Sequence, residues 1–294
     1  MIVQERIKEY KEAGVPAVKI SGIDHFLVSQ TFDCGQCFRF DPAESARHAV
    51  EFEGVALGRY VRFAQDAPDE LYIYGADERD YDTLWRHYLG LDLDYGQIAR
   101  ELAARSGSAA LLEAIEFGGG IRILAQEPWE TVCSFIVSQN NNIPRIKKII
   151  SAMSKSLGES IDGEHFAFPM PKAICEAGES FIFSLKTGFR AKYILDAAEK
   201  VSSGELDLES LYSLPYGSAE EALCSVKGIG KKVANCTLLF GFGRYEAFPV
   251  DVWVRRILGK YFPPDFDPAS LGPYAGVAQQ YLFYYERYLG GQKQ

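Results

Sequence analysis

Histidine and cysteine are scarce in this sequence, with four and six residues among 294. The cysteines, at positions 34, 37, 133, 175, 224 and 236, lack the dense spacing of a disulfide-stapled secreted scaffold, so a reducing compartment is expected. Cys34-Gly-Gln-Cys37 has the spacing of a zinc or redox pair, but no second pair and no neighbouring histidine complete it. Apolar runs fall short of the ~18 residues that span a membrane, and the charged stretch Met1–Gly14 does not read as a secretion signal. Internal repeats and low-complexity segments are missing too. A basic excess is also absent, since 31 Lys+Arg face 40 Asp+Glu for a net charge of −9. Taken whole, that charge argues against a nucleic-acid partner. Its distribution removes the objection: residues 1–120 hold 12 basic and 21 acidic side chains, and the rest hold 19 of each.

What the chain does have is apolar material, 47% of residues with 13% aromatic, ample for a buried core across two or three subdomains. From about residue 17 to 75 the pattern is short, β-branched or aromatic runs parted by turn residues: Phe26–Phe32, Cys37–Phe40, Ala49–Phe52, Val55–Phe63 and Leu71–Tyr74. From Glu78 the period becomes helical, over Tyr81–Leu91, Ile98–Ala104, Ser108–Glu116, Trp129–Val137, Arg145–Leu157, Phe189–Val201 and Pro273–Leu289. Pro128 and Pro144 each fit a first helical turn. The reading is α+β, with an N-terminal antiparallel sheet domain and flanking helices over 1–120 and a helical domain over 121–294. Three basic clusters lie in the second part: Arg145, Lys147, Lys148 and Lys155; Lys186, Arg190 and Lys192; and Lys227, Lys231 and Lys232. Singly, such clusters are commonly solvated helix faces. Three of them beside helix starts favour phosphate contact.

The richest segment is Ser218–Arg256. Ser218 and Glu221 have capping-box spacing ahead of a short helix, Ala219 to about Ser225. Val226-Lys-Gly-Ile-Gly230 then turns the chain on two glycines that can take positive φ, and a second helix runs from Lys231 to about Phe240, stopping at Gly241/Gly243. After a loop, Asp251 stands at an N-cap position before Val252–Leu258. Small residues let backbone N–H groups approach a phosphate. Lys232 sits near a helix N-terminus, whose partial positive charge disfavours the ammonium form. A lysine nucleophile with an N-capping carboxylate suits attack on a sugar carbon through an imine.

Leu223–Val252 resembles the helix–hairpin–helix and Gly/Pro–Asp signature of base-excision DNA glycosylases, in the bifunctional form that keeps the hairpin lysine. Further motifs resemble the 8-oxoguanine DNA glycosylases of the eukaryotic type over nearly the whole chain. The resemblance implies a helical helix–hairpin–helix glycosylase domain over 121–294 and a catalytic pair, Lys232 and Asp251. It also implies roles in DNA contact. In Ser138-Gln-Asn-Asn-Asn-Ile-Pro-Arg145, Asn140 would fill the gap left by an extruded base and Arg145 would bond the orphaned cytosine. Taken by itself, the asparagine run reads as a helix C-cap joined to an N-cap. Phe189 would wedge beside the orphaned base, with a phenylalanine where better-known relatives have tyrosine, and Arg190 would contact that base. The hairpin glycines Gly228 and Gly230, with Lys231, would meet phosphate. Trp253 stands where relatives place a phosphate-touching histidine, and indole donates only one hydrogen bond.

For the base itself, the resemblance implies the Gly35 carbonyl, Gln279 and Phe283 one helical turn apart, and a charge pair of Cys236 with Lys232. By residue type alone, Phe283 and Cys236 read as core. The implied partner is double-stranded DNA containing oxidised guanine, met by a monomer in the nucleoid or nucleus and not at a membrane. No catalytic cofactor is implied, though the carbonyls of Cys224, Val226 and Ile229 would hold a structural monovalent or divalent cation. The iron–sulfur cysteine loop of some glycosylases is absent. Two alternatives stay open: a glycosylase for another damaged base, against which Lys232 and the missing cysteine loop speak, and a non-catalytic DNA-structure binder.

Overall fold

The computed structural model describes residues 6–12, 14–44 and 47–291. Six strands, β1 Arg6–Glu12, β2 Val15–Ser21, β3 Phe40–Pro42, β4 Val50–Ala56, β5 Arg59–Gln65 and β6 Glu70–Tyr74, form one sheet in the order β1-β2-β6-β5-β4-β3. The β1–β2, β2–β6, β5–β6 and β3–β4 pairs run antiparallel. Leu71 and Ile73 of β6 are fully buried around a half-buried Tyr72, the alternation of a one-faced sheet. Between β4 and β5, Leu57 (φ 53°) and Gly58 (φ 67°) make a two-residue turn with both φ positive, which matches strand twist.

Three strand expectations are corrected. Val55–Phe63 is not one strand: its first two residues end β4, and the positive-φ turn at Leu57 and Gly58 separates them from β5. Phe26–Phe32 lies mostly in the helix Val28–Asp33, which buries Val28, Thr31 and Phe32 at helical spacing. Cys37–Phe40 gives only its last residue to β3. The helical half follows the sequence more closely. Ser108 caps Ala109–Gly118, a proline opens Pro128–Ser138, and Asn142 caps Ile143–Leu157. The sequence reading missed the helix Pro171–Ile182, which contains a non-helical Gly178 at φ 73°.

The described residues fall into two compact units, one within 1–54, 61–125 and 245–294, the other within 55–60 and 126–244. In the first unit Phe32, Phe40 and Phe63 cluster at ring distances of 4.6–5.7 Å, and Trp85 meets Phe63 edge-on at 5.5 Å. Arg122 is buried there at 2% exposure, with its guanidinium on the carbonyls of Asp24, His25, Gly90 and Leu93 and the Asp24 carboxylate. This satisfies the charge and ties the segment that carries Arg122 to two loops, at Asp24/His25 and at Gly90/Leu93. In the second unit Pro128–Ser138 packs on Lys231–Phe242, with Phe135 stacked on Phe240 at 5.3 Å.

Candidate active site and DNA-binding surface

The hairpin is built as expected in its second half and differently in its first. Its first helix spans Tyr216–Cys224 with Pro215 at the cap, so Ser218 and Glu221 lie inside it and form no capping box. Val226 N–H bonds the Leu223 carbonyl at 3.2 Å and Ile229 N–H bonds that of Val226 at 3.0 Å, closing the turn over buried Val226 and Ile229. Only one glycine needs left-handed backbone. Gly228 has φ 80°, and a Cβ there would run into the Tyr193 ring. Gly230 is extended (φ −103°, ψ 178°), caps the second helix, and a Cβ there would meet nothing. Asp196 anchors the turn, accepting from Lys227 N–H at 2.9 Å and pairing with its ammonium at 3.0 Å.

The second helix, Lys231–Phe242, ends at Gly243 in the left-handed conformation. Lys231 is exposed, 3.8 Å from Glu220. Lys232, half-buried, places its ammonium 5.5 Å from the centre of the Phe135 ring. Cys236, one turn further on, is a buried, unbridged thiol. In the other unit Asp251 is the N-cap of Val252–Tyr261, its Oδ1 accepting from Val254 N–H at 2.8 Å. Trp253 is half-exposed beneath the Arg256 guanidinium, 5.4 Å from its ring.

The three asparagines divide their work. Asn141 donates to the Val137 carbonyl at 3.0 Å, closing one helix, and Asn142 accepts from Arg145 N–H at 3.0 Å, opening the next. Asn140, between them and the first helix, is exposed at φ 46°, a strained value that asparagine tolerates better than most residues. Arg145 is exposed, reaching the Lys186 carbonyl at 3.5 Å. Phe189 is 49% exposed and meets Tyr193 edge-on at 5.9 Å.

Arg190, which the resemblance brings to the orphaned base, is turned into the protein in this structure. It is 2% exposed, and its guanidinium donates to the carbonyls of Gln139, Asn140 and Thr187. Burial, and then the charge of Arg145, lowers its pKa from the usual arginine value. Here it positions the Asn140 loop, which no sequence spacing could reveal because the Gln139 and Asn140 carbonyls lie 51 and 50 residues away.

In the first unit Gly35 takes φ 84° in a turn held from both sides. Gln280 Nε2 donates to the Cys34 carbonyl at 2.7 Å, while fully buried Gln36 bonds Thr31, Arg122 and Leu124 of the backbone. Burial pushes the Cys34 thiol up to about 12, so it is no thiolate of a redox pair. Gln279, 5% exposed, carries an Oε1 with no hydrogen-bond partner. Phe283 is half-buried one turn along the same Ala275–Gly291 helix. Among the described residues no group of three or more His, Cys, Asp or Glu could hold a metal ion. None of their helices is long and apolar enough to cross a membrane.

Residues 20–132 match the model of the 8-oxoguanine DNA glycosylase N-terminal domain, and 133–269 that of the HhH-GPD superfamily of base excision DNA repair proteins. The N-glycosylase/DNA lyase OGG1 of Arabidopsis thaliana is 33% identical over 288 residues, covering 88% of this chain and 73% of that protein. The chain belongs to the 8-oxoguanine DNA glycosylase family. Among solved structures, MBOgg1 in complex with a low-affinity DNA ligand is 39% identical at a TM-score of 0.87, covering 97% of this chain and 99% of that one. The Clostridium acetobutylicum 8-oxoguanine glycosylase/lyase, in complex with double-stranded DNA containing cytosine opposite 8-oxoguanine, is 35% identical at 0.87, covering 99% and 100%. For this glycosylase family member the N-terminal sheet and the helix–hairpin–helix region are therefore family features.

Proposed function

We propose that this chain excises 8-oxoguanine from duplex DNA, preferentially opposite cytosine, and cleaves the resulting abasic site. The observation that carries the base-reading part is the orphaned Gln279 Oε1. A buried acceptor without a donor is costly, and the Watson–Crick edge of a guanine-type base offers two donors, N1–H and N2–H. Phe283, on the same helix, would stack on the ring. The Gly35 carbonyl would accept from N7–H, a proton that 8-oxoguanine has and guanine lacks. The same carbonyl would face a lone pair on guanine.

Asp251 would stabilise positive charge on the sugar as the base leaves. The Lys232 amine, once neutral, bonds C1′ as the N9–C1′ bond breaks, and the base departs with the bonding pair and takes up a proton. Opening of the sugar ring gives an iminium. Loss of a 2′ proton then expels the 3′ phosphate by β-elimination. Amine and carboxylate suffice for these steps. Gly230 would let the phosphate backbone approach, since the space where its Cβ would stand is open. Asn140 would enter the gap and Arg145 would meet the orphaned cytosine, beside Phe189. The carbonyls of Cys224, Val226 and Ile229 would hold a structural cation, a donor type that suits hard ions. The protein would act as a monomer wherever genomic DNA lies.

Borohydride trapping on a duplex with 8-oxoguanine opposite cytosine tests the reading. Wild type should form a covalent adduct and Lys232→Gln none, while still binding the lesion. Equal trapping of the variant would remove Lys232 from its role. Cleavage of an alkylated-base duplex but not the 8-oxoguanine duplex would move the substrate to another lesion.

A further inference from the structure

Gln280 is the neighbour of Gln279 in the C-terminal helix, is 3% exposed, and has no part in the base contacts proposed above. Its hydrogen bond to the Cys34 carbonyl joins residues 246 apart in sequence, with both groups buried. That carbonyl belongs to the peptide plane leading into Gly35. The Gly35 carbonyl belongs to the next plane, leading into Gln36. Gln36 is 0% exposed, its Nε2 on the carbonyls of Thr31 (2.9 Å) and Arg122 (2.8 Å) and its Oε1 on Leu124 N–H (2.9 Å). Gln280 therefore anchors the near side of Gly35 and Gln36 the far side, and glycine, the most flexible residue, is left with little freedom.

Rigidity matters because discrimination at N7 is a matter of sign. A fixed acceptor gains a bond from N7–H and is repelled by a lone pair. A carbonyl free to swing can turn from guanine and relieve the repulsion, since hydrogen-bond energy depends steeply on angle. We propose that Gln280 is a positioning residue that sets lesion selectivity: it holds the Cys34–Gly35 turn in register with the helix bearing Gln279 and Phe283. The inference rests on the base-reading role proposed for Gly35.

The test compares Gln280→Met, which keeps volume and removes the donor, with Gln280→Glu, which sets an acceptor against the Cys34 carbonyl. Both are made in a Lys232→Gln background. Affinities are measured for duplexes carrying 8-oxoguanine, guanine, or a tetrahydrofuran abasic analogue opposite cytosine. The 8-oxoguanine-to-guanine affinity ratio should fall about tenfold with methionine, the loss of roughly one well-placed hydrogen bond, and further with glutamate. Affinity for the abasic analogue, which places no base beside Gly35, should stay within about twofold of the parent, a change too small to register as a lost contact. Should the glutamate variant fail to fold, the methionine variant decides. An unchanged ratio, or a parallel loss on the abasic analogue, would make Gln280 a packing residue and overturn the inference alone. A parent protein that does not prefer 8-oxoguanine to guanine would overturn the base reading, and this inference with it.

Discussion

Replacing each hairpin glycine by alanine should separate fold from function in one short loop. At Gly228 two costs add. An L-residue at φ 80° is strained by roughly 1–2 kcal/mol. The new Cβ would also overlap the Tyr193 ring, and relieving an overpacked contact costs about 1–3 kcal/mol. The total of about 2–5 kcal/mol, at roughly 2–4 °C per kcal/mol for a unit of this size, lowers the melting temperature by about 4–20 °C. Gly230→Ala faces neither cost. It exchanges a preferred N-cap residue for a poor one, at a cost of about 1 kcal/mol or less.

DNA binding should show the reverse pattern. The open space at Gly230 is where the proposal brings a phosphate, so its methyl group should weaken binding of an abasic-analogue duplex while leaving the fold nearly intact. Calorimetric melting and fluorescence anisotropy on the two variants give both readouts. A double-mutant cycle between Gly228→Ala and Tyr193→Ala isolates the overlap and should return about 1–3 kcal/mol of coupling. A Gly228→Ala protein that melts with wild type would refute the strain argument. A Gly230→Ala protein that loses stability and keeps DNA affinity would refute the phosphate argument.

Asp251→Asn should slow base excision by at least about a hundredfold while changing stability little, because the amide oxygen still caps Val252–Tyr261; single-turnover kinetics and thermal melting check both halves. Arg145→Ala should erase about 1–3 kcal/mol of discrimination between cytosine and adenine opposite the lesion, read as a flattened ratio of excision rates; an unchanged ratio would move that role elsewhere. Arg190→Ala should destabilise the second unit and loosen the Asn140 loop, so abasic-analogue affinity should fall although the side chain is buried; an affinity equal to wild type would make Arg190 structural only. Burial alone would raise the Asp196 pKa, but the Lys227 N–H and ammonium outweigh it and the net shift is downward. The folded value lies below the unfolded one, so this tie stabilises fully above about pH 4 and is lost as pH falls through the folded value. Acid titration of Asp196→Asn should show a shallower loss of stability below pH about 4 than wild type.

Local signals made much of this fold readable. Asp251 as an N-cap, proline at the start of Pro128–Ser138 and Gly243 at the end of Lys231–Phe242 each depend on groups within a few residues, and each stands where the sequence placed it. The errors arise where distant groups decide. Phe26–Phe32 has the β-branched and aromatic residues of a short strand, yet Leu27 N–H and Thr31 Oγ1 both bond the Gly120 carbonyl, and the segment between them is helical. β1 carries Lys8, Glu9 and Lys11, charges suited to an edge strand but giving no apolar run. Ser218 and Glu221 had the right spacing for a capping box, but Ala219 N–H already bonds the Pro215 carbonyl, so the helix begins before them.

The same distinction separates side chains that build the site from those offered to a ligand. Asn141 and Asn142 spend their amides on the backbone of the helices they join, as any Asn-rich turn would. Arg190 spends its guanidinium on the carbonyls around Asn140. What remains is Asn140 itself, exposed and held at a positive φ by neighbours that are fully engaged. The base-reading side repeats the arrangement: Gln36 and Gln280 are consumed in fixing the Gly35 turn, and Gln279 is left buried with an acceptor and no donor. Residue type could not tell Gln279 from Gln280, or Asn140 from Asn142. Their hydrogen bonds do, because a polar group already satisfied within the protein gains little from a ligand, while a buried one left unsatisfied gains the most from a partner of complementary chemistry.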